Sequence, residues 1–178
     1  MRLARTARRC AVAVGLLSLF TGCGFTHLQD LDFRVDQRLH FVGLKERASV
    51  HLPLTIRWRM RDFTVTAQGA APPSRKAGYF ALFVDQTPIR PGQTMKALCK
   101  ADPFERGDRN CPTAAYLEGK LVYPTTSDSV TLDSIPNVAG NKDRKQLHTF
   151  IVVLMDTSGR RLGESAWELD LRLPRIGA

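Results

Sequence analysis

In Leu54-Thr55-Ile56-Arg57-Trp58-Arg59-Met60, every second side chain is apolar and the residues between are polar or charged. A period of two puts Leu54, Ile56, Trp58 and Met60 on one face of a strand and Thr55, Arg57 and Arg59 on the other, one dry and one wet. Pro53 fits the start of such a strand, where a missing N–H costs least. Asp62 to Ala67 continues as a second extended segment, and Gln68 to Lys76 makes a loop.

The same period or its buried variant recurs along the chain. Tyr79 to Val84 is a nearly continuous apolar run, short enough for a strand buried on both faces. Leu117 to Tyr123 and Ser129 to Leu132 are two shorter strand candidates separated by a polar turn. Asp133 to Lys145 looks like an exposed crossing loop. His148 to Met155 leads into Asp156-Thr157-Ser158-Gly159, a turn-forming group, and Arg161 to Leu173 returns with Trp167, Leu169, Leu171 and Leu173 on one face. Arg38 to Val42 and Ala48 to Leu52 are expected edge strands. No heptad and no long helical stripe interrupts this pattern. Strands recurring about every 8–15 residues with polar turns between them predict an all-β antiparallel sandwich of about 7–9 strands.

The first residues follow different rules. Arg2, Arg5, Arg8 and Arg9 form a positive cluster, Cys10 to Phe20 is uncharged and mostly apolar, and Thr21-Gly22 precede Cys23. That is the three-part layout of an export signal. The apolar run is shorter than the ~20 residues needed to span a bilayer core. It closes in Leu19-Phe20-Thr21-Gly22-Cys23, which resembles the signal peptide of bacterial lipoproteins. The resemblance implies that Cys23 carries a diacylglycerol and becomes the first residue of the mature protein. It also implies a cell-membrane location on the extracytoplasmic face, since two acyl chains make a durable anchor. An ordinary cleaved secretory signal is the alternative, and Arg8-Arg9 keeps a twin-arginine route open beside the general secretory one.

On that reading Cys10 leaves with the signal and Cys23 is lipidated, so Cys99 and Cys111 remain. One pair in an oxidising compartment reads as one disulfide. The intervening Lys100 to Asn110 is rich in Pro, Gly, Asp and Asn and reads as loop. Neither a CxxC spacing nor a Cys/His set accompanies the pair, so a metal or redox role is not expected. The chain has 178 residues and a formal charge of +9; removal of residues 1–22 takes four arginines and leaves 156 residues at +5. That suits one domain and makes nucleic acid an unattractive partner. The expected organisation is a signal at 1–22, a short tether at 23–34, a sandwich over 35–174 and a tail at 175–178.

The order of features, with an early Trp58 strand and a terminal hairpin around Asp156 to Gly159, looks like an immunoglobulin-like or fibronectin type III-like domain. The layout is also similar to small uncharacterised lipoproteins of actinobacteria that carry one such sandwich, a resemblance that implies no activity.

Chemistry-bearing residues are scarce. Trp58 and Trp167 share faces with aliphatic residues, which marks them as core rather than sugar-stacking platforms. His27, His40, His51 and His148 lack paired spacing and read as surface or edge residues. Asp102, Glu105 and Asp108 are spaced by three, with Arg106 after the second and Arg109 after the third, unlike an alternating calcium loop. Nucleophile elbows and phosphate loops are missing. The expectation is therefore a protein with no catalytic, cofactor or metal residues, whose working surface is the braced segment Lys96 to Pro112, unless the brace serves only to stabilise a long loop. Its partner would be a near-membrane protein or a cell-wall component. A structural or accessory subunit of an envelope complex is the alternative, with an envelope hydrolase behind both.

Overall fold

A computed structural model of the chain describes residues 36–177. The expected signal, Cys23, the tether and His27 lie outside the described residues. Within them the architecture is all-β with two short helices. The strands are β1 (Leu39–Phe41), β2 (Leu54–Met60), β3 (Thr64–Val65), β4 (Ala77–Val84), β5 (Val122–Thr125), β6 (Ser129–Leu132), β7 (Lys145–Asp156) and β8 (Trp167–Pro174). The helices α1 (Lys96–Ala101) and α2 (Ala114–Gly119) fall between β4 and β5.

The strands form two sheets. One has the order β1-β2-β6, and the other runs β3-β4-β7-β8 with β5 also paired to β4. All pairings among the strands are antiparallel except β3 on β4, a two-residue parallel contact that pairs Thr64 with Ala77. β3 and β5 share one edge of β4, and β7 takes the other from Gly78↔Asp156 to Val84↔Phe150. Gly78 marks the closest approach: its φ is +153°, and a Cβ there would stand 1.9 Å from the Met155 carbonyl oxygen. Only glycine fits where two backbones pack this tightly.

The alternation in β2 has the expected consequence. Leu54, Ile56 and Trp58 are buried while Arg57 and Arg59 are exposed. They meet Phe80, Leu82 and Val84 of β4, Phe150, Val152 and Leu154 of β7, and the even-spaced face of β8 in one core between the sheets. Trp58 and Phe80 pack edge to face at 5.4 Å, the arrangement ring quadrupoles favour. Tyr79, Ala81 and Phe83 point the other way, into a second core with Ile89, Met95, Leu117, Val153 and Met155. Every residue from Gly78 to Val84 is therefore buried, because β4 is covered on both faces.

Several segments differ from the sequence expectation, and the last strand begins at Trp167 rather than at Arg161. Leu117 to Tyr123 is not a strand: α2 runs through Gly119, Leu121 turns with φ +55°, and β5 begins at Val122. Ala48 to Leu52 touches β8 through a single parallel bridge, Ser49↔Arg172, with Val50 donating to the Arg172 carbonyl and Arg172 to that of Ala48. The chain then leaves β8 to start β2 in the other sheet, so no edge strand can grow. The segment Lys96 to Pro112 is not all loop, since its first six residues form α1.

The Asp133 to Arg144 crossing is held from inside by Gln146. This fully buried amide accepts from the Val138 N–H and donates to the Asn141 carbonyl, satisfying both ends of the side chain. Asp36 fastens the start of the domain in the same way. Its carboxylate accepts from Arg38 and from the Ser165 hydroxyl, and its carbonyl accepts from the Trp167 indole N–H at 2.6 Å. The Arg38 guanidinium lowers the Asp36 pKa from 3.8 to about 2, against the opposing effect of burial.

Candidate functional site

The outer face of β4 and β7 is where the chain departs from bare strands. After β4 the polypeptide turns at Asp85 and runs back over the sheet, placing Ile89 and Met95 in the second core. α1 follows with Cys99 facing inward. Cys99 is joined to Cys111 by a disulfide with the Cα atoms 6.0 Å apart, and both residues are buried. Thr113 then starts α2: its hydroxyl accepts from the Tyr116 N–H at 3.1 Å, capping an otherwise unpaired donor. α2 delivers Leu117 to the same core. Helices of six residues do not persist alone, so burial and the disulfide hold them in place.

Between Cys99 and Cys111 the polar residues organise the backbone. Asp102 accepts from the Phe104 N–H at 3.0 Å, and Asp108 from the Asn110 N–H at 2.8 Å. Asp102 also meets Lys120 Nζ at 2.9 Å, and the Tyr116 hydroxyl donates to it at 3.4 Å. The Lys120 ammonium holds the Asp102 carboxyl below its ordinary range. The ion pair crosses from the end of α1 to the end of α2 and bypasses the interleaved arginines Arg106 and Arg109. The Gln86 amide donates to the Lys120 carbonyl, tying the loop after β4 to the end of α2.

These ties leave a cleft of about 570 Å³, lined by Gln86, Pro88, Leu98, Asp102, Phe104, Tyr116 and Lys120 among others. Phe104 is 93% exposed at its rim. A large aromatic so placed contributes nothing to the core. Asp102, Glu105 and Asp108 do not gather around a common point suited to a cation, and no group of three or more His, Cys, Asp or Glu side chains among the described residues can hold a metal.

The histidines divide. His40 and His51 are exposed, as expected of surface residues. His148 is not a surface residue: it is 3% exposed, with Nδ1 2.7 Å from Asp85 Oδ2. The other Asp85 oxygen accepts from the Thr149 N–H at 2.9 Å. The His148 ring is almost fully enclosed, whereas the Asp85 side chain is partly exposed. The pair latches the end of β4 to β7. Trp58 and Trp167 are buried in the inter-sheet core, in keeping with their alternation.

The sequence reading missed one constellation. Arg75-Lys76 and Arg160-Arg161 are distant in the chain, yet they line a single concavity of about 710 Å³. The two basic pairs were visible as letters; their meeting was not. Among the described residues no helix is long and apolar enough to cross a membrane. No protein-family model, curated protein or solved structure matches this chain.

Proposed function

We propose that the protein is a lipid-anchored binding module of the cell envelope, without catalytic activity, built on an immunoglobulin-like or fibronectin type III-like sandwich. Lipidation of Cys23 would hold it on the extracytoplasmic face of the cell membrane. Residues 23–34 would tether the domain within roughly 40 Å of the bilayer. The partner is a near-membrane protein or a cell-wall component met through the braced segment around Phe104.

The observation that carries this reading is Phe104 itself. It is nearly fully exposed, and it sits on a backbone fixed by the Cys99–Cys111 disulfide and by the Asp102 carboxylate. An aromatic group presented on an ordered segment loses little entropy on binding, which is how compact interfaces gain affinity. The charged and aromatic lining of the neighbouring cleft gives a partner both apolar area and hydrogen-bonding groups.

The test is photocrosslinking in living cells, with Phe104 replaced by photoreactive benzoylphenylalanine in the full chain. A discrete adduct identified by mass spectrometry, lost when Cys23→Ala releases the protein from the membrane, is the expected result. Retention of the Cys23→Ala protein on membranes rejects the anchor. Failure to form any adduct from position 104 rejects the braced segment as the working surface.

A further inference from the structure

The concavity between the Pro73–Lys76 turn and the Arg160–Ser165 segment carries a charge pattern that the fold does not resolve. Arg38, Arg75, Lys76, Arg160 and Arg161 all line it. Arg38 is neutralised by Asp36 at 2.7 Å. Among the described residues the lining holds one carboxylate, Asp156, whose single negative charge offsets only part of the remaining positive charge; its Oδ1 accepts from the Ser158 N–H, the Ser158 hydroxyl and the Arg160 N–H. Arg75, Lys76, Arg160 and Arg161 form no ion pair among the described residues.

Arg161 is the unusual member. It is only 8% exposed, and among the described residues its guanidinium donates solely to carbonyls: Ile89 at 2.6 Å, Glu164 at 3.1 Å and Ser165 at 3.4 Å. Its Nε is buried with no hydrogen-bond partner. Carbonyls orient a guanidinium without cancelling its charge, and a buried cation is costly unless an anion faces it. Burial accordingly lowers the Arg161 pKa from the ordinary arginine value. Glu164 offsets part of this cost through its charge but makes no ion pair with Arg161, so among the described residues a buried guanidinium held by carbonyls lies beneath three exposed cations.

We propose that this concavity binds a phosphate-bearing ligand, with Arg161 at its base and Arg75, Lys76 and Arg160 around its rim. A phosphate group brings about two negative charges and three acceptor oxygens, which suits several cations at once. A single carboxylate would leave most of them uncompensated. Arginine in particular matches phosphate oxygens in pairs. The backbone around the site is fixed rather than loose: the Lys76 carbonyl accepts from Thr64 N–H, and Arg161 exchanges backbone hydrogen bonds with Gln93 and Gly92. A volume of about 710 Å³ accommodates a small phosphoester or a lipid headgroup. This inference stands on residues separate from Phe104 and does not require the Cys23 anchor.

The test uses the full chain with two kinds of phosphate source. Inorganic phosphate and glycerol 3-phosphate are titrated by calorimetry. Sedimentation then compares vesicles of phosphatidylcholine alone with vesicles of phosphatidylcholine and phosphatidylglycerol in equal parts. A lipid anchor contributes to both vesicle types, so their difference reads the headgroup. Saturable binding to at least one source is expected, weakened about tenfold or more in Lys76→Gln/Arg160→Gln, each lost contact being a charge-assisted hydrogen bond. Arg57→Gln, an exposed arginine outside the lining, should leave it unchanged. Both substitutions in the first variant are at exposed positions, whereas Arg161 is left intact because its carbonyl contacts also hold the fold. A response to the soluble probes assigns a soluble phosphoester, and one confined to phosphatidylglycerol vesicles assigns a lipid headgroup. No saturation with any probe, or equal weakening by Arg57→Gln, overturns the proposal.

Discussion

The two faces of β4 are equally dry, and they are closed by different physics. Phe80, Leu82 and Val84 are covered by side chains from other strands, each contributing every second residue to a common layer. Tyr79, Ala81 and Phe83 are covered by a loop and two six-residue helices that have little stability of their own. The first face is sealed by packing alone. The second depends on a covalent tie, a capping threonine and an ion pair between Asp102 and Lys120. A sheet core of this kind is cooperative, whereas a stapled cover can open while the sheet persists. That makes the cover the natural place for a surface that meets partners.

The difference between the two faces has measurable consequences. The largest effect is expected from Phe80→Ala, which removes a fully buried ring that touches both Trp58 and Phe63. Urea unfolding should show a loss of about 3–5 kcal/mol. A loss below about 1 kcal/mol would mean that the two sheets do not share one core. Next comes the paired substitution Cys99→Ser/Cys111→Ser, which frees a loop with a sequence separation of 12. It should cost up to about 3 kcal/mol. Hydrogen exchange should accelerate in α1 and α2 while β7 and β8 keep their protection; uniform acceleration would make cover and sheet one unit.

The smallest effect is confined to acid. Asp36 titrates at about 2 when folded, below its ordinary 3.8, because Arg38 stabilises the charged form. Its contribution is therefore whole above about pH 4 and disappears as the pH falls toward 2. Asp36→Asn should flatten that part of the stability profile, read by thermal unfolding between neutral and acidic pH, and leave the Cys99–Cys111 cover unaffected. An unchanged acid limb would show that the Arg38 contact does not discriminate between the two protonation states.

Much of the sheet framework was legible in the residues. The alternation in Leu54 to Met60 and the run at Tyr79 to Val84 appear as strands near the expected bounds, and the pair around Asp156 to Gly159 is present with its second strand shortened to start at Trp167. α2 was illegible because six residues cover less than two turns, too few for a 3.6-residue period to separate from a strand. Its one sequence signal was Thr113, a good N-cap before Ala114-Ala115. His148 was misjudged because its partner, Asp85, lies on a different strand end and nothing near His148 announces it. The basic concavity was missed for the same reason. Arg75-Lys76 and Arg160-Arg161 are unremarkable as separate pairs, and their significance lies only in shared space.

The residues by themselves determined the class of fold, the strands that carry it and the faces those strands keep dry. The N-terminal arginine cluster, the uncharged run after it and Thr21-Gly22-Cys23 are likewise features of local composition. Alternation and charge runs are local properties of a chain, so they survive in one dimension. Only the tertiary structure decided what covers each face of β4, where the Cys99–Cys111 segment lies, and which cations converge on Arg161. Those outcomes depend on pairing residues far apart in sequence, and the sum of packing and loop closure settles such pairing. No single segment encodes it.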